Sequence, residues 1–115
     1  MQNFQNVDVW RKAHELALSI YRATDKLPKT EVFGVTVQLR RAAVAVPTRI
    51  AEGCGRENDS EFANQLHKAR GASAELEYLL LLCRDLAYLP RADYESLVER
   101  LIEVQKMISG LVRKL

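Results

Sequence analysis

The stretch FANQLHKARGASAELEYLLLLCRDLA, from Phe62 to Ala87, decides the fold. Within it Phe62, Leu66, Ala69, Ser73, Leu76, Leu80, Cys83 and Ala87 follow one another at alternating intervals of four and three. That interval keeps all of them on one stripe of an α-helix. At ~1.5 Å per residue the helix is roughly 40 Å long. Asn58 followed by Glu61 resembles a capping box that opens it.

The same rhythm continues on both sides. After Pro90 and Asp93, a further helix carries Leu97, Leu101, Val104, Ile108, Leu111 and Leu115. Upstream, Leu39, Ala43, Val46 and Ile50 form the seam of a helix from about Val35 to Glu52. Pro47 inside it removes one donor and crowds the carbonyl of Ala43, which predicts a kink. Gly53 suits a left-handed cap, and Cys54 falls in the loop beyond it. The first helix runs from about Asp8 to Leu27 with Trp10, Ala13, Ala17, Ile20, Thr24 and Leu27 inward, and Pro28 stops it. Apolar alternation occurs only at Val32 to Leu39, where helical spacing fits as well. The expected fold is all-α: one domain, residues 1–115, folded as an up-down-up-down antiparallel four-helix bundle with helices at about 8–27, 35–52, 60–88 and 92–115.

Composition agrees with a compact soluble domain. Of 115 residues, 48% are apolar and 28% charged, which excludes a disordered tail. No run approaches the length of a membrane span, and the N-terminus has no secretory pattern. The net charge of +2 is too mild to announce a nucleic-acid binder by itself. Cys54 and Cys83 read as free thiols of a cytoplasmic protein. No cysteine–histidine cluster has zinc spacing, and no Glu-x-x-His pair suits a di-iron bundle, so neither metal nor cofactor is expected.

The apolar residues outnumber the inward positions. Leu79, Leu82, Leu86 and Leu89 make a second row beside the first seam of the third helix, and Ala42 to Val46 are apolar on every side of the second. A helix apolar all round must be buried all round. Self-association through Ala42, Ala45, Leu79, Leu82 and Leu86 is the expectation; the competing reading tucks the leucines under the second helix or the Pro28–Gly34 loop.

The residues also carry a resemblance. Val9-Trp10, Leu27-Pro28-Lys29, Phe33-Gly34, Gln38-Leu39-Arg40-Arg41-Ala42-Ala43, Val46-Pro47, Ile50-Ala51-Glu52-Gly53, Ala69-Arg70-Gly71 and Glu75-Leu76-Glu77 occur in this order. The chain resembles the small four-helix-bundle proteins encoded within intervening sequences of bacterial 23S ribosomal RNA genes. It is also similar to the accessory protein of diversity-generating retroelements. The resemblance implies a homopentamer around a central channel and an association with nucleic acid. Two positions depart from the family's usual pattern: Arg49 stands where Asn is usual, and Gly71-Ala72 where Gly-Ser is usual.

Arg40, Arg41, Arg49 and Arg56 form the candidate nucleic-acid-binding group, since repeated arginines add their fields and suit bidentate phosphate contacts. The competing reading pairs Arg40 and Arg41 with Glu52, Glu75 or Glu77. Glu52 and Glu75 are read as structural salt bridges, with Arg41 or Arg70 as partners. The Gly53-Cys54-Gly55-Arg56 loop could offer backbone donors to an anion, against the simpler reading of a helix cap. No nucleophile has an oriented base, so no enzyme activity is expected. The functional expectation is a non-enzymatic homo-oligomer whose basic rim engages RNA, DNA or a nucleic-acid-processing partner. The alternative is a protein-interaction scaffold without a nucleic-acid role.

Overall fold

A computed structural model describes residues 2–115, and four α-helices account for most of them. These are α1 (Asp8–Thr24), α2 (Val35–Cys54), α3 (Asp59–Asp85) and α4 (Arg91–Arg113), with short 3-10 turns at Phe4–Asn6 and Lys29–Glu31. No strand occurs among the described residues. Each helix packs on its chain neighbours and α1 also packs on α4, whereas the diagonal pairs stay apart. The molecule measures 43 × 23 × 20 Å. At ~1.5 Å per residue, α3 alone runs roughly its whole length.

The core forms from the inward stripes. Leu16, Ile20, Leu39, Ile50, Leu66, Leu76, Leu80, Leu101 and Ile108 are fully buried. Burial of each is worth about 1.5–3 kcal/mol before the entropy of ordering is subtracted. Trp10 is only half-buried, at the edge of its seam, where its ring stacks on His14 and meets Phe4 edge-on.

Helix boundaries depart from the predicted ones for local reasons. Helix α1 ends at Thr24, before the predicted Leu27. The Thr24 hydroxyl donates back to the carbonyl of Ile20 (2.8 Å), and the amide of Leu27 closes a tight turn on the carbonyl of Thr24 (3.1 Å). Leu27 remains buried even so. Helix α2 continues through Pro47 and ends at Cys54, two residues beyond Glu52. Asn58 caps α3 by accepting the amide of Glu61 at 2.9 Å.

Two expectations are overturned. Gly53 is not a left-handed cap: no glycine has a positive φ, and Gly53 is buried inside α2. Its purpose is close approach, because a Cβ there would stand 2.6 Å from Phe62 Cδ1 and 3.2 Å from Gln65 Cβ on α3. Ala87 does not extend the seam of α3. It lies beyond the helix, exposed, with φ of 58°. The amide of Tyr88 reaches the carbonyl of Cys83 (2.9 Å) and that of Ala87 reaches Arg84 (3.0 Å). This is a Schellman ending with alanine where glycine is usual.

Two substitutions check these readings by urea denaturation. Ala87→Gly should stabilise the chain by about 1 kcal/mol, because it removes the left-handed penalty. Gly53→Ala should destabilise it by about 1–2 kcal/mol, overpacking outweighing the better helix propensity. A neutral or stabilising Gly53→Ala would contradict the close approach.

Candidate nucleic-acid interface and exposed apolar faces

The four predicted arginines do not act alike. Successive residues of a helix are turned by about 100°, so Arg40 and Arg41 leave α2 in different directions. Arg40 turns toward α1 and is held there. Its Nε donates to the Thr24 hydroxyl (2.8 Å), and its Nη2 donates to the Tyr21 carbonyl (3.3 Å) and to Asp25 (2.9 Å). The guanidinium carbon also lies 4.7 Å from the centre of the Tyr21 ring. Arg40 is therefore a strut between α1 and α2 and not a free phosphate ligand. Its partners are Thr24, Tyr21 and Asp25, in place of the expected Glu52, Glu75 or Glu77.

Arg41 and Arg56 are exposed and make no ion pair among the described residues. Arg49 is half-exposed and meets Glu52 at 3.2 Å. The Arg49–Glu52 pair is local to α2, in solvent, and worth less than about 1 kcal/mol. Glu52 is thus no bridge to Arg41 or Arg70. Glu75 is exposed and makes no ion pair among the described residues, because Leu76 and Leu79 take the inward positions of that turn. Glu77 instead accepts from Gln105 of α4 at 3.0 Å.

The glycine loop offers no anion cradle. The amide of Gly55 is spent on the carbonyls of Ala51 and Glu52, and that of Arg56 on Gly53. Cys54 is buried at the end of α2, and its carbonyl accepts the amide of Gln2 at 2.9 Å. Burial pushes both thiols up. Cys83 reaches about 11, with a smaller contribution from the Glu31 carboxylate. That carboxylate accepts the Tyr88 hydroxyl at 2.8 Å, which raises Tyr88 as well. Neither thiol is a nucleophile at neutral pH. Among the described residues, no group of three His, Cys, Asp or Glu side chains could hold a metal, and no helix is long and apolar enough to cross a membrane.

The predicted apolar row divides. Ala42 and Leu79 are buried within their own chain, Ala45 and Leu82 are half-buried, and Leu86 is 47% exposed. Tyr78, at 61%, carries the exposed row a further turn toward the N-terminus of α3, outside the expected interface set. A second surface was also missed. Phe4, Trp10, Leu18, Tyr21, Val44 and Pro47 line an apolar groove of about 500 Å³ between α1 and α2. A third surface lies along the outside of α4, where Tyr94, Val98 and Ile102 alternate with Glu95, Glu99 and Glu103.

Comparison with known proteins shows the family and the fold. Residues 5–110 match the family model described as 23S rRNA-intervening sequence protein. A crystal structure from Bacteroides thetaiotaomicron, described as a protein of unknown function from the S23 ribosomal protein family, superposes with a TM-score of 0.85. The match has 26% identity and covers 90% of this chain and 97% of that one. No curated protein matches the chain.

Arg40→Ala should lower stability by about 1–2 kcal/mol in urea denaturation, since it removes the hydrogen bonds that tie α2 to Thr24, Tyr21 and Asp25 and the contact over the Tyr21 ring. Arg41→Ala should leave stability within about 0.5 kcal/mol. The thiol shifts give a pH dependence. The raised folded value of Cys83 means its contribution is complete below 9.0 and is lost as pH rises through about 11. Tyr88 and Cys54 act in the same direction. Denaturation at intervals across that range should show falling stability, with a shallower fall in Cys83→Ala.

Proposed function

Since the chain belongs to the 23S rRNA-intervening sequence protein family, we propose that it is a non-enzymatic homo-oligomeric four-helix bundle that associates with nucleic acid through a basic rim, in the cytoplasm. The observation that carries this reading is the placement of Arg41, Arg49 and Arg56. Arg41 and Arg49 stand on the outer side of α2 and Arg56 follows beyond its end, all outside the core. Copies assembled around an axis repeat these charges, and their fields add. With Arg40 held against Tyr21, the phosphate-binding group is these three.

The bundle is read as up-down-up-down. Residues of α1 and of the turn after it meet residues of α4 in descending order: Lys12 with Glu103, Ser19 with Arg100, Lys26 with Asp93. The short connections from α2 to α3 and from α3 to α4 leave those successive helices no room to run in the same direction. The homopentamer implied by the family resemblance is the assembly this reading adopts. A protein-interaction scaffold is the second reading, favoured by the exposed Tyr78 and Leu86. Capture of partners from cells with and without nuclease separates the two: partners lost with nuclease favour the first.

Gel shifts with a single-stranded RNA and a duplex DNA at low salt test the main reading. Binding should weaken with rising salt. Arg41→Ala/Arg49→Ala/Arg56→Ala together should weaken it about tenfold and lower the salt slope by roughly two to three. No shift at low salt, or an unchanged shift with the triple variant, would overturn it.

A further inference from the structure

We infer that the outward row of Tyr78, Leu82 and Leu86, along the last turns of α3 and its C-cap, in one copy of this chain seats in the α1–α2 groove of the next, so that the copies join head to tail. The inference rests on the self-association proposed above and adds the two surfaces that meet. Tyr78, Leu82 and Leu86 recur at intervals of four, and at ~1.5 Å per residue they span about 12 Å of the outer face of α3. The groove is lined from α1 by Trp10, Leu18 and Tyr21, a stretch of about 16 Å on the same measure. One surface is an apolar ridge, the other a mostly apolar trough in which His14, Thr48 and Glu52 are the polar lining.

Charge sets the direction. One turn N-terminal of Tyr78, Glu75 is exposed without an ion pair among the described residues. One turn C-terminal of Leu18, Arg22 is exposed and likewise makes none. With the two helices antiparallel, Glu75 faces Arg22, Tyr78 lies over Leu18, and Leu82 and Leu86 run toward Trp10 and Phe4. The reverse direction sets Glu75 among apolar side chains and leaves Arg22 unopposed. Gly71 fits the same contact. It is exposed in the interior of α3, and no atom of the chain lies within 4 Å of where its Cβ would be. A helix-interior glycine is less stable than alanine there, and a neighbouring backbone approaching α3 gives that position a use.

The ridge and the trough are different surfaces on the two sides of α2. A contact between unlike surfaces repeats from copy to copy, and it closes into a ring if each step turns by a suitable angle. It is therefore compatible with the fivefold assembly, whereas a contact of like surfaces stops at two copies.

The experiment is complementation, read by light scattering at tens of micromolar. Leu86→Glu removes the ridge and Leu18→Glu the groove; both positions are exposed, so circular dichroism and melting should confirm that each variant folds. Each alone should be a 13.1 kDa monomer. Mixed in equal amounts they should form a 1:1 dimer, because one retains the groove and the other the ridge. A Glu75→Arg change should weaken assembly, and Glu75→Arg with Arg22→Glu should restore it. If the unaltered chain is a monomer, both this inference and the proposed self-association fail. If it assembles and either variant still assembles alone, or the mixture stays monomeric, this inference fails and the self-association stands.

Discussion

The α2–α3 contact at Gly53 and Phe62 sets the geometry on which the remaining packing depends. A ring on α3 lies where any side chain on α2 would have to be. That absence lets the two backbones converge just after the turn that joins them. Ala42, Ala43 and Val46 of α2 and Leu66, Ala69 and Ser73 of α3 are all buried. The α2–α3 contact is the most extensive in the molecule, and α1 and α4 close the bundle against it. Small residues give up burial per residue and gain proximity, which suits a helix that must face two neighbours at once.

The periodic residues make the helices legible from the sequence. Leu66, Leu76, Leu80 and Cys83, read as one stripe, are buried, and Asn58 caps as its spacing to Glu61 indicates. The misreadings lie where two local rules compete. Gly53 fits the pattern of a cap, and only the position of Phe62, nine residues on, shows that it marks a close crossing. Ala87 continues a perfect interval yet takes a left-handed backbone, because Pro90 prevents the chain from extending the helix much further. Spacing reports which residues share a face and says nothing about where the face ends.

The candidate site was legible at the level of residue type only. The sequence shows four arginines around α2, and it cannot show which way each leaves the helix. A rotation of about 100° separates Arg40 from Arg41, and it divides a structural role from a free one. Arg40 meets Tyr21, Thr24 and Asp25, the last turn of α1 and the residue just beyond it, so its charge is occupied in joining two helices. The pairing runs between residues more than a dozen apart with no intervening pattern. The same holds for the groove, whose lining comes from the N-terminal turn, α1 and α2.

The apolar surplus of α3 is divided by position. Its inner half, Leu79 with Leu80 and Cys83, is needed to hold α3 within its own bundle. Its outer half, Tyr78 with Leu86, adds nothing to that core, and polar residues there would serve a solitary bundle better. Leu82 lies between and is partly covered by its own chain. A bundle that kept only the inner half would still fold, so the outer half acts on a different link of the chain from sequence to function. The fold is fixed by the buried stripe, and the exposed one bears on what the folded chain meets.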